Sequence, residues 1–100
     1  MQIYEVINES NEVFAFEVSN TFLSRKKVIQ IIEELPGVIV VSKPQGFVFD
    51  NETEFCQFEH EGDTFIIEEP WGDSSRYWIG PKAIAFTPNI NSIIQHFRAR

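Results

Sequence analysis

Two stretches of this chain repeat one apolar spacing, and together they limit what it can fold into. Val28, Ile31, Ile32 and Leu35 fall at i, i+3, i+4 and i+7, and so do Ile90, Ile93, Ile94 and Phe97. That is the spacing of a single buried stripe on an α-helix, and each stripe needs an apolar surface to lie on. The first predicts a helix over 24–35, with Ser24 as N-cap (or Thr21, one turn earlier) and Pro36-Gly37 as its stop. The second predicts a helix near 90–98 that starts at Thr87-Pro88-Asn89. It ends with Arg98 and Arg100, as the helix dipole prefers.

The surface for both stripes comes from what surrounds them. Gln2–Asn8 and Glu12–Val18 are β-rich and flank a polar cluster that reads as a hairpin turn. Val38–Ser42 is a β-branched run, and Phe47-Val-Phe49 reads as a short continuation. Glu54–His60 and Thr64–Glu69 flank Glu61-Gly-Asp63, a hairpin signal with Gly62 at the turn. Arg76–Ile79 reads as a strand closed by Gly80-Pro81, and Lys82–Phe86 as a further edge strand. The expectation is one compact α+β domain over residues 1–100. An antiparallel β-sheet of about five to six strands is packed by two amphipathic helices, in the order ββα-βββ(β)-α. With 43% hydrophobic residues and ten Phe, the chain has enough apolar area to offset its ordering entropy.

Charge narrows the partners. The formal net charge is −7, which repels phosphate backbones and argues against direct nucleic-acid binding. The N-terminal residues alternate polar and apolar, unlike a signal peptide, and no apolar run approaches the ~18 residues that cross a bilayer. A cytoplasmic protein without membrane contact is expected, and the single Cys56 has no second cysteine with which to close an intrachain disulfide.

The acids are not spread evenly. Asp50 to Asp73 holds nine carboxylates and no Lys or Arg, and it leads into Trp71-Gly-Asp-Ser-Ser-Arg-Tyr-Trp-Ile-Gly80. Trp, Tyr and Arg dominate binding hot spots because each offers large contact area or a rigid donor fork. A basic protein partner is therefore expected on the Glu59–Asp73 face. Trp71 is its apolar anchor, and Glu59, Glu61, Asp63, Glu68, Glu69 and Asp73 are its charges. Arg76 and Tyr77 complete the surface. Against this stands a structural reading, in which Arg76 locks the loop onto Asp73 or Glu69. Tyr77 and Trp78 point to opposite faces of their strand, so one of the two belongs to the core; Trp78 is the expected core residue.

Catalytic patterns are weaker. Cys56 and His60 lie four apart in a strand, roughly 13 Å, too far to share one tetrahedral metal without a bulge, and Cys56 reads as a small core hydrophobe. Glu59, Glu61 and Asp63 at i, i+2 spacing would gather on one hairpin face and suit a hard cation, or form a solvated tip. Ser74-Ser75 has no nucleophile elbow around it, and His96 reads as a helix-surface residue. The five glycines are isolated at predicted turns, so no phosphate loop is present. No enzyme activity, cofactor or metal is expected. A small metal-dependent or catalytic domain using Cys56, His60 and the Glu59–Asp63 acids is the alternative. A structural subunit that self-associates through its aromatic loop is a further one.

In general character, the Asp50–Asp73 acids and the Glu68–Gly80 segment make the chain resemble bacterial immunity proteins of contact-dependent and polymorphic toxin systems. These have many unrelated folds, so no residue role carries over. What the resemblance implies is a mode of action, in which a rigid acidic face occludes the basic substrate cleft of a cognate toxin, often a nuclease. The basic helix start Arg25-Lys26-Lys27 stands outside that mode.

Overall fold

A computed structural model describes residues 1–42, 54–70, 75–83 and 85–100. The elements run β1 (Ile3–Ile7), β2 (Val13–Ser19), α1 (Arg25–Glu33), β3 (Val38–Ser42), β4 (Glu54–His60), β5 (Asp63–Glu68), β6 (Arg76–Pro81) and α2 (Ile90–Arg98). The strands form one six-stranded sheet in the order β1-β2-β6-β5-β4-β3, antiparallel at every pairing. A β3–β6 meander thus sets its last strand against the β1–β2 hairpin, and α1 is the connection that crosses from one unit to the other.

Local chemistry explains the turns. Asn8 ends β1 and accepts hydrogen bonds through Oδ1 from the backbone N–H of Ser10 at 3.0 Å and of Glu12 at 2.9 Å. Asn11 takes the left-handed conformation there, φ 64°, which Asn tolerates better than most residues. Between β4 and β5 a two-residue turn holds Glu61 at φ 53° and Gly62 at φ 86°, with His60 opposite Asp63. Two consecutive positive φ values match the right-handed twist of the flanking strands. Ser24 caps α1 by accepting from the Lys27 N–H at 3.1 Å. Leu23 and Val28 occupy the two positions of a hydrophobic staple, and both belong to the core.

Both helices lie on one face of the sheet. α1 buries Val28, Ile29, Ile31 and Ile32, and α2 buries Ile90, Ile93, Ile94 and Phe97. They meet Phe16, Val18, Phe58, Phe65, Ile67, Tyr77 and Ile79 in a single core, with Phe97 edge-on to Phe16 at 5.2 Å between ring centres. The helices are also tied to each other. His96 Nε2 lies 2.6 Å from the Ile31 carbonyl oxygen, and Arg100 pairs with Glu34. His96 is therefore a half-buried bridge rather than the helix-surface residue expected.

Three more expectations change. The helix predicted over 24–35 ends at Glu33, leaving Leu35 to pack on the core from the following turn. Gly80-Pro81 does not close β6 but forms its end. The described residues of 82–86 form no strand, although the Lys82 N–H adds one ladder bond to the Thr64 carbonyl at 3.0 Å. The short strand expected at 47–49 lies outside the described residues.

Candidate functional site

The face of the sheet opposite the helices carries the unusual chemistry. One row of cross-strand partners runs across five strands: Tyr4 opposite Glu17, Glu17 opposite Trp78, Trp78 opposite Glu68, and Glu68 opposite Glu54. Directly opposite residues of an antiparallel pair point to the same face and touch. An indole therefore sits between two carboxylates, with a third one strand further on.

Gly80 sets the seat of that indole. A Cβ at position 80 would lie 2.5 Å from Trp78 Cη2 and 2.8 Å from the Ala15 Cβ. The ring reaches along its own strand into the space of the missing side chain, a close approach that strand glycines often mark. Phe14 meets the ring edge-on at 6.4 Å between centres. It can do so because the β1–β2 register shifts between Val6 and Ile7, leaving Phe14 as an extra residue between Val13 and Ala15. The shift sends Val13 to the core and Phe14 to the open face.

The charges on this face are of two kinds. Arg76 donates to Glu17 at 3.2 Å and lies over the Tyr4 ring, 3.5 Å from its centre. That end of the row is internally balanced. At the other end, Glu54 and Glu68 face each other, with Glu59 exposed further along β4. Arg25, Arg76, Arg98 and Arg100, the chain's arginines, each meet a carboxylate: Glu69, Glu17, Glu5 and Glu34 in turn. Among the described residues, no cation is placed against Glu54, Glu59 or Glu68.

Burial raises the Glu68 carboxyl above its ordinary 4.5, and the Glu54 charge adds to the effect. The folded chain therefore holds a proton there that the unfolded chain releases. Stability falls as pH rises from 4.5 through the raised folded value and is level above it. Asp63 behaves in the opposite way. The Thr87 hydroxyl and then the Asn89 amide hold it below its ordinary 3.8, so its contribution is present above 3.8 and is lost as pH falls through the folded value. Glu68→Gln is expected to remove the first slope and raise the melting temperature at pH 7, leaving the acid limb unchanged. Thermal melts of both proteins from pH 3 to 8 check this, and parallel curves would refute it.

The residues expected to bind a partner are scattered by this arrangement. Glu59 and Glu68 are on the helix-free face. Asp63 lies on the helix side, where it accepts from Thr87 Oγ1 and, at 2.7 Å, from Asn89 Nδ2. It fastens the start of α2 to the β4–β5 turn. Glu61 is exposed in that turn, and its backbone carbonyl also accepts from the Asn89 amide. Glu69 is held by Arg25, Nε to Oε1 at 2.9 Å. The i, i+2 ladder of Glu59, Glu61 and Asp63 is therefore not one face.

Tyr77 corrects the expectation outright. It is 4% exposed, its hydroxyl donates to the Leu23 carbonyl at 2.7 Å, and its ring packs against Phe55. Trp78, expected in the core, takes the open face instead. Arg76 pairs with neither Asp73 nor Glu69 but with Glu17. Trp71 and Asp73 lie outside the described residues. Cys56 and His60 are both buried on the helix side. Among the described residues neither ring nitrogen of His60 has a hydrogen-bond partner, and no three His, Cys, Asp or Glu side chains are grouped to hold a metal ion.

Sequence reasoning also missed Phe22. It is fully exposed and sits at φ 61°, a conformation that costs a bulky residue about 1–2 kcal/mol. The turn that holds it is closed by the Leu23 N–H to the Asn20 carbonyl at 3.0 Å. Phe22→Asn is expected to stabilise the fold by about 1 kcal/mol, or roughly 5 °C in Tm, because Asn accepts this φ. An unchanged melt would show that no strain is stored there.

No family model, curated protein or solved structure matches the chain.

Proposed function

We propose that the chain is a small acidic protein-binding domain, and that it acts as an immunity protein by occluding the basic cleft of a cognate toxin such as a nuclease. The observation that carries this reading is the Glu54–Glu68–Trp78 row. Two carboxylates stand side by side, and burial, with the Glu54 charge adding to it, raises the Glu68 carboxyl. An indole stands opposite Glu68, and among the described residues no cation pairs with either carboxylate. A Lys or Arg from a partner would meet charge from the acids and the face of the indole together, a pairing that gains strength once desolvated. Rigid backing by a six-stranded sheet keeps the ordering cost of binding low.

The contact surface in this reading is centred on the helix-free face, with Glu59 and Glu61 at its margin, rather than on the hairpin tip. Asp63, Glu69 and Tyr77 support the fold that presents it. The test is direct. The purified chain is mixed with the product of the gene immediately upstream, where a cognate toxin is expected, and complex formation and toxin activity are measured. A stoichiometric complex that silences the toxin is expected. A chain that neither binds the toxin nor protects cells expressing it would overturn the proposal.

A further inference from the structure

Among the described residues β3 is an outer strand of the sheet, paired with β4 on one side. Its residues, Val-Ile-Val-Val-Ser, include neither charge nor proline. Val38 and Val40 pack on the core, whereas Ile39 and Val41 are 64% and 51% exposed. An outer strand offers a row of unpaired N–H and C=O groups, and proteins usually blunt it with Lys, Pro, inward charges or bulges. The other outer strand is guarded in this way. β1 carries Glu5 bound to Arg98 at 2.8 Å, and Tyr4 lies under Arg76. β3 has a register shift between Val40 and Ser42, which leaves Val38–Val40 regular.

We propose that β3 pairs antiparallel with β3 of a second copy of this chain, joining the two sheets across a two-fold axis near Ile39. A second copy is the occupant that the edge itself specifies, because antiparallel self-pairing is isologous and closes. With the axis at Ile39, that residue meets its own counterpart on the helix-free face. Val38 then faces the counterpart of Val40 on the helix side, so each face is matched apolar to apolar. A basic partner gains nothing from an uncharged edge. The Glu54–Glu68 pair that would attract one begins on the next strand inward, and strands are about 4.8 Å apart. At a net charge of −7 two copies repel, and salt screens that repulsion over roughly 8 Å at physiological strength. Salt therefore strengthens this association, whereas it weakens docking of a basic protein. A five-residue edge falls well short of the roughly 800 Å² per side of a standard interface. The dimer is accordingly weak, with a dissociation constant on the order of 100 μM.

Sedimentation equilibrium of the full chain from micromolar to millimolar concentration tests the proposal, with hydrogen exchange at the same concentrations. A monomer–dimer equilibrium that tightens with salt is expected, together with slower exchange of the β3 amides as concentration rises. Ile39→Lys, at an exposed position, should keep the circular dichroism of the wild type and stay monomeric throughout. Val41→Lys serves as the second variant if the first fails to fold. Ile7→Lys, on the β1 edge, should dimerise as the wild type does. A chain that is monomeric at millimolar concentration overturns the proposal. So does a dimer indifferent to the β3 variants, one that salt dissociates, or an open-ended polymer. None of these outcomes bears on toxin binding, which depends on different residues.

Discussion

Gly80→Ala is expected to destabilise the protein by about 2 kcal/mol and to lift the Trp78 indole from the sheet. Two effects compete. Adding a methyl to a strand glycine removes unfolded-state entropy, a gain of about 0.5–1 kcal/mol where the site accepts it. This site does not accept it, because the new Cβ falls 2.5 Å from Trp78 Cη2 and 2.8 Å from the Ala15 Cβ. The ring is able to swing away, but it then gives up an apolar seat worth about 1.5–3 kcal/mol for a side chain of this size. Ala15 has no such freedom, since its Cβ is fixed to the β2 backbone and fully buried. Overpacking of this kind costs about 1–3 kcal/mol, so the steric term wins. Denaturant unfolding gives the stability, and Trp fluorescence in a Trp71→Phe background gives the ring's environment. The cause is isolated by a double-mutant cycle with Trp78→Ala, in which the Gly80→Ala penalty should shrink by at least half. A full penalty without the indole would assign the clash to Ala15 alone.

That glycine also shows where sequence reasoning stops. Helix period is local, so Val28/Ile31/Ile32/Leu35 and Ile90/Ile93/Ile94/Phe97 announced both helices and their apolar faces. Turn chemistry is nearly as local, and Gly62 and Ser24 do what their types suggest. Gly80 has the same residue type but a different reason, an aromatic two residues earlier on the same face. The pattern Trp78-x-Gly80 was available as a signal of that kind.

The acidic site was harder to read, because strand register decides which acids share a face. Strict alternation from Cys56 and Phe58 would turn Glu54 inward. The structure pairs Glu54 with Glu68 but Cys56 with Ile67, so Phe55 is an extra residue and Glu54 faces out. Nothing in the residue types around Phe55 marks that shift. Ion pairs were equally hidden, since Arg25–Glu69 and Arg76–Glu17 join residues 44 and 59 apart in sequence. The excess of acid was legible; its division into partnered and unpartnered carboxylates was not.

Neutralising the unpartnered pair should move stability and binding in opposite directions. In Glu54→Gln with Glu68→Gln, the like-charge contact disappears and a partly buried carboxylate becomes an amide. The fold should gain stability at pH 7, by the sign set out for Glu68. Association with a basic partner should nevertheless slow by about 10-fold at low salt, because close charges steer encounter. Reversal to Glu54→Lys with Glu68→Lys should slow it by about 100-fold and flatten its dependence on salt. Glu5→Gln, a carboxylate on the helix side already held by Arg98, serves as the control and should leave the rate near wild type. Stopped-flow association at several ionic strengths, beside thermal melts, reads both quantities. Residues retained for folding alone would lose stability when changed and leave a partner's arrival rate untouched. A gain in stability with a loss in rate is the signature of side chains kept for binding at the fold's expense. If the paired Gln variant binds as fast as wild type, the helix-free face is not where the partner lands.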